Sequence, residues 1–123
     1  MQNMNLVNWF EIPVTDMDRA KTFYENVFGI EISINEMGDS VMGWFPFNED
    51  APGASGSLVK HSTSEPSHSG TLVYFSVDDI DNTLAKAGQN GGRVLSPKMS
   101  IGEHGYWGAF EDSEGNKIAL HSQ

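Results

Sequence analysis

The chain has 123 residues, no cysteine, and 17 acidic against 7 basic side chains, a formal charge of −10. That length suits one domain with a real core. The missing cysteine removes disulfides, thiolate metal sites and thiol nucleophiles, and the negative charge repels nucleic-acid phosphates and anionic membranes. No apolar run is long enough to cross a bilayer and the opening residues lack a basic, apolar leader, so a cytoplasmic protein with neither nucleic-acid nor membrane partners is expected.

Residues 8–14 alternate as a half-buried strand, with Phe10, Ile12 and Val14 on one face and Trp9, Glu11 and Pro13 on the other. Thr15 or Asp16 can cap the helix that follows, and Asp16 and Asp18 put negative charge at the positive end of its dipole. Ala20, Phe23, Tyr24 and Val27 then form a helical stripe that ends at Gly29. Ile30, Ile32 and Ile34 alternate with Glu31, Ser33 and Asn35 as a second strand, and a turn is expected at 36–39. Residues 41–47 read as a third strand, 48–55 as a loop, 56–61 as a short fourth strand and 62–69 as a polar connector.

The second half repeats the first. Moving along by 63 positions carries Val14, Asp16, Met17, Asp18 and Gly29 onto Val77, Asp79, Ile80, Asp81 and Gly92. A strand is therefore expected at 71–77, with Val73, Phe75 and Val77 facing the core and Leu72, Tyr74 and Ser76 on the opposite face. A helix is expected from Ile80 to Gln89, stopped by Asn90, Gly91 and Gly92. Residues 93–95, 106–111 and 116–121 are the remaining strands, 98–105 is a glycine-containing loop, and 112–115 is a hairpin turn. Each half is thus β-α-β-β-β, giving an α+β fold in one domain over 1–123, with one module at about 4–63 and a second at about 69–123.

The run WFEIPVTDMDRAKTFYENVFG from Trp9 to Gly29, the run VDDID from Val77 to Asp81 with Gly91 and Gly92 behind it, and the ending EDSEGNKIALH from Glu111 to His121 resemble the vicinal oxygen chelate superfamily. That superfamily holds glyoxalase I, bleomycin-resistance proteins and extradiol dioxygenases. The chain is most similar to small single-domain lactoylglutathione-lyase relatives, over nearly its whole length. The resemblance implies two βαβββ modules whose curved mixed sheets surround a cleft, commonly completed as a homodimer. In metal-dependent members it implies one ligand on the first and one on the last strand of each module. Those positions fall on Trp9, Leu72 and Ala119, with the remaining one near Gly56 or Ser57. Indole, isobutyl and methyl groups cannot hold a divalent cation, so neither a metal site nor a cofactor is expected.

Glu11 shares a strand face with Trp9, and a carboxylate beside an indole is a candidate for proton transfer. His121, two residues past Ala119 on the same strand face, is a second candidate for acid–base work. Trp9, Trp44, Leu72 and Tyr74, with Phe47, can line an apolar cleft that stacks a flat ligand, and Lys60 can neutralise an anionic group on it. His61, His68 and His104 have no partner at helical or strand spacing and read as surface residues. The expected function is binding of a small apolar or aromatic molecule by a protein without the usual metal ligands. Two alternatives stand beside it: a lyase or isomerase of glyoxalase type using Glu11, His121 and a non-standard metal site, and a non-catalytic interaction protein.

Overall fold

A computed structural model describes residues 5–123. The expected start of the first module at residue 4, and the first four residues read for a leader, lie outside that span. Ten regular elements follow one another: β1 (Trp9–Pro13), α1 (Met17–Phe28), β2 (Ser33–Met37), β3 (Ser40–Trp44), β4 (Ser55–Lys60), β5 (Val73–Ser76), α2 (Ile80–Gln89), β6 (Arg93–Ser100), β7 (Tyr106–Glu111) and β8 (Lys117–Ser122), with a short 3-10 turn at Gly102–His104. They make two mixed four-stranded sheets, ordered β1-β4-β3-β2 and β5-β8-β7-β6. The β1–β4 and β5–β8 pairs are parallel and the others antiparallel. The α+β class and the doubled βαβββ plan read from the sequence are both present.

The two helices begin alike. Asp16 accepts a hydrogen bond from the Arg19 amide at 3.1 Å, and Asp79 accepts one from the Asn82 amide at 3.0 Å, each satisfying an N–H that the helix leaves free. Asp79→Ala is therefore expected to lower stability by about 1 kcal/mol in urea unfolding. Their ends differ. Gly29 closes α1 in the left-handed conformation at φ 65°, whereas α2 stops two residues earlier in the repeat, at Asn90. Gly92, the counterpart of Gly29, is needed for a different reason: a side chain there would meet the Glu111 carbonyl at 2.4 Å.

One apolar core unites the modules. Ile12, Phe23, Tyr24, Val27 and Leu58 from the first share it with Ile80, Leu84, Phe110, Ile118 and Leu120 from the second. Phe28 stacks on Phe75 at 4.7 Å, and Phe10 meets Phe75 edge-on at 5.8 Å, so aromatic contacts cross the boundary between modules.

Three boundaries shift from the sequence reading. The second strand starts at Ser33 rather than Ile30, because the Glu25 carboxylate takes the Ile32 amide at 2.9 Å while the Ile32 side chain is buried. The third strand ends at Trp44, just before Phe45 and Pro46. The sixth runs eight residues, through Pro97 and into the stretch read as a loop from 98. It is the sheet edge and carries irregularities between Val94 and Ser96 and between Ser96 and Met99, which is where a strand tolerates proline.

Candidate functional site

Alternation along the strands gives each sheet a helix-facing side and an open side. On the first sheet, pairing register sets Glu11, Ser57, Trp44 and Ser33 in one row across β1, β4, β3 and β2, all on the open side. Trp9 and Ser55 precede that row, and Pro13, Val59, Met42 and Asn35 follow it. Trp9 and Trp44 meet edge-on, ring centres 5.9 Å apart and planes at 79°. Phe47, beyond the strand end, is exposed. On the second sheet the open side carries Tyr74, Ala119 and Ala109 in one row, and Ser76, His121 and Trp107 in the next.

A groove of about 460 Å³ runs beside β1. Trp9, Glu11 and Pro13 form one wall, Val73, Lys117 and Ile118 another, and Glu65, Ser67, Gly70 and Thr71 of the connector a third. Trp9 and Glu11 thus line this groove, and Trp44 touches Trp9 from β3 without being one of its walls. Lys60 is not with them: its register places it with Val41 and Leu58 on the helix-facing side of β4, exposed at the strand end. The lysine that lines the groove is Lys117. Leu72, Tyr74 and His121 lie outside the walls of this groove; Tyr74 is 55% exposed and sits opposite Ala119, which is fully buried at the centre of the second sheet.

His121 has its Nε2 2.7 Å from the His104 carbonyl, a contact that makes Nε2 the donor and leaves Nδ1 as its only basic nitrogen. It lines a second recess with Ser76, Val77 and Asp78, on a different sheet from Glu11. Two of the other three histidines have side-chain partners. His61 accepts the Thr63 amide at Nδ1 and lies 3.3 Å from Asp39, and His68 of the connector is 2.8 Å from Glu111, which also receives Arg93. The Arg93 and His68 hydrogen bonds hold the Glu111 carboxyl below its usual range, against a smaller opposing effect of burial.

Apart from Ser57, the polar groups that the structure buries most deeply were not legible as candidates. Asp112, 1% exposed, accepts the Tyr24 hydroxyl at 2.6 Å, the amides of Glu114 and Asn116 at 2.9 Å each, and Asn116 Nδ2 at 3.1 Å. Asn116 Nδ2 also donates to the Pro13 carbonyl and its Oδ1 accepts the Ser67 amide, tying β1 and the connector to the β7–β8 turn. Burial, then the Asp112 charge, pushes the Tyr24 hydroxyl well above its ordinary pKa. Beside it, Glu114 accepts the Thr15 and Asp16 amides and two nitrogens of Arg19 at 2.7–2.9 Å. Burial raises the Glu114 pKa, but these hydrogen bonds outweigh it and hold the carboxyl at about 2. These groups clamp one module to the other, and of them only Asn116 borders the groove beside β1. Their only sequence signal is the EDSEGN turn, which reads as a hairpin.

Register also settles which residue matches Ala119 in the first module. Tyr74 pairs Ala119 as Glu11 pairs Ser57, and Tyr74 lies 63 positions after Glu11, so the counterpart is Ser57 rather than Gly56. An indole, a hydroxyl, an isobutyl and a methyl group thus occupy Trp9, Ser57, Leu72 and Ala119, and that set does not fit a divalent cation. Among the described residues, no three His, Cys, Asp or Glu side chains are grouped to hold a metal ion.

Known proteins share both the sequence pattern and the architecture. A protein of Didymella fabae described as glyoxylase-like domain-containing is 34% identical over 118 residues, covering 93% of this chain and 91% of that relative. Mycobacterial relatives are longer, and this chain spans 44% of their length. Among solved structures, a glyoxylase/bleomycin resistance protein/dioxygenase domain from Frankia sp. EAN1pec superposes with a TM-score of 0.75 at 15% identity, covering 98% of both chains. TnmS3, an antibiotic binding protein from Streptomyces sp. CB03234, gives a TM-score of 0.68 at 26% identity over 99% of this chain and 98% of its own. The doubled βαβββ plan and a match of residues 6–120 to the family model agree: the chain belongs to the Glyoxalase/Bleomycin resistance protein/Dioxygenase superfamily.

Proposed function

We propose that this chain binds a small apolar or aromatic molecule against Trp9 and Trp44 and in the groove beside β1, without the metal its metal-dependent relatives use, and that two copies pair through their open sheet faces. The observation that carries the reading is the edge-on indole pair, in which Trp44 is 40% exposed and Trp9 lines a groove that a small molecule can fill. Antibiotic binding by the Streptomyces relative, 26% identical along nearly the whole chain, points the same way. Exposed apolar groups on both open faces, Met37 and Trp44 on one and Tyr74 and Met99 on the other, support pairing with a second copy.

A lyase reaction would need Glu11 and His121 at one centre. Within one chain they stand on different sheets, and His121 Nε2 is engaged by a loop carbonyl. Binding is therefore the better-supported function.

The test is a panel of flat aromatic compounds followed by tryptophan fluorescence and thermal shift, with sedimentation analysis of the assembly. At least one compound is expected to quench fluorescence and raise the melting temperature, and Trp44→Ala is expected to weaken it by roughly 10-fold through lost ring contact. Elemental analysis that found one equivalent of divalent metal per chain, lost on His121→Ala, would overturn the proposal in favour of the lyase.

A further inference from the structure

At the centre of the first sheet's open face stands a hydroxyl with nothing to bond. Ser57 is fully buried, and its Oγ has no hydrogen-bond partner among the described residues. Its neighbour two residues earlier on the same face, Ser55, donates to the Pro46 carbonyl at 2.8 Å, so the lack is specific to Ser57. Buried hydroxyls are nearly always paired, and one left alone weakens a fold that an alanine there would not. Register places Ser57 directly beside Glu11 on one side and Trp44 on the other, and the Trp9 and Trp44 rings meet over this end of the face.

We propose that Ser57 and Glu11 together read one edge of a flat aromatic ligand that carries a ring lactam, while the ring lies against Trp9 and Trp44. The lactam carbonyl accepts from the Ser57 hydroxyl, and the lactam N–H donates to the Glu11 carboxylate. This rests on the reading that the open face binds an aromatic molecule, and adds the functional group it selects. The assignment follows from what each side chain can do. A carboxylate only accepts, so Glu11, exposed at the groove, calls for a donor. A hydroxyl without an acceptor calls for one. Adjacent strands hold the two side chains about 4.8 Å apart at the backbone, close enough to span the neighbouring donor and acceptor of a cis-amide edge. Trp44, exposed on its outer side, is the part of the cover that turns aside to admit the ring.

Carbostyril, a two-ring aromatic lactam, and N-methylcarbostyril, which lacks only the N–H, are the probes. Both are titrated into the full chain and its variants by tryptophan fluorescence. Wild type is expected to bind carbostyril about 10-fold or more tightly than the N-methyl compound, because methylation removes the donor to Glu11 and sets a methyl group against its carboxylate. Ser57→Ala is expected to weaken carbostyril about 10-fold, with a melting temperature of the free protein that is unchanged or raised. Glu11→Gln, at an exposed position that leaves the fold intact, is expected to narrow the preference between the two probes. Equal binding of both probes that Trp44→Ala weakens alike overturns the inference but leaves the aromatic-site reading standing. Carbostyril binding undiminished in Ser57→Ala overturns it too. Binding of neither probe also overturns it, and the wider aromatic panel then decides the parent reading separately.

Discussion

Asp112→Ala is expected to lower stability by about 3–5 kcal/mol, because it removes the one acceptor shared by several buried donors. The Tyr24 hydroxyl, the Glu114 and Asn116 amides and Asn116 Nδ2 all converge on its two oxygens. None of them gains a new partner from a methyl group. Tyr24→Phe, which removes a single donor and leaves the carboxylate with three, is expected to cost about 1–2 kcal/mol. Urea unfolding of both variants checks the pair. A loss below about 1 kcal/mol for Asp112→Ala would mean that the β7–β8 turn is not a clamp between modules.

The second large effect is on acid stability. Glu114 has its carboxyl held at about 2 in the folded chain, against an ordinary 4.5. As pH falls, the unfolded chain therefore takes up this proton first. The stabilisation is complete above about pH 5 and drains away as pH drops towards 2, amounting to about 3 kcal/mol at most. Glu114→Gln removes the titration while keeping the shape, and its stability is expected to fall less steeply over that window than wild type does. Glu25 and Glu111 also have lowered pKa values, Glu25 chiefly through the Ile32 amide and Glu111 chiefly through Arg93. Both shifts act in the same direction as that of Glu114, so the measurement that isolates Glu114 is the difference between the two stability–pH curves. Parallel curves would refute the assignment.

Both effects arise where the first module meets the β7–β8 turn of the second: Tyr24 at Asp112 across 88 positions of sequence, and Arg19 with the Thr15 and Asp16 amides at Glu114 across 95–99. The repeat hides such contacts. Comparing the halves brings out what they share, namely aspartate caps, strand faces and helix stripes, while a clamp that joins unlike positions has no counterpart to be matched with. The same limit explains Gly92. Its place in the repeat suggests a helix stop, but the close approach of the Glu111 carbonyl is what demands it.

For the ligand site, strand alternation was enough to put Trp9 and Glu11 on one face, and the indole pair with Trp44 follows the same rule. The face of Lys60 was not legible in the same way, because parity along β4 places it only after pairing with β1 and β3 has put Ser57 rather than Gly56 on the open side. Lys117 and the connector walls of the groove had no comparable signal, since they reach it only when β8 and residues 62–72 fold back beside β1.

What the sequence by itself determined is therefore everything with a local period: the doubled plan, both capped helices and the two faces of β1 and β5, while the ligand positions unsuited to a cation are implied by the family resemblance. The tertiary structure alone decided which of Gly56 and Ser57 faces the site, that Ser57 lacks a partner, and that Asp112 and Glu114 bind the modules together. Side-chain periodicity is written residue by residue along the backbone, whereas pairing register and burial depend on which distant strand comes alongside, and that is set by the packing of the whole core.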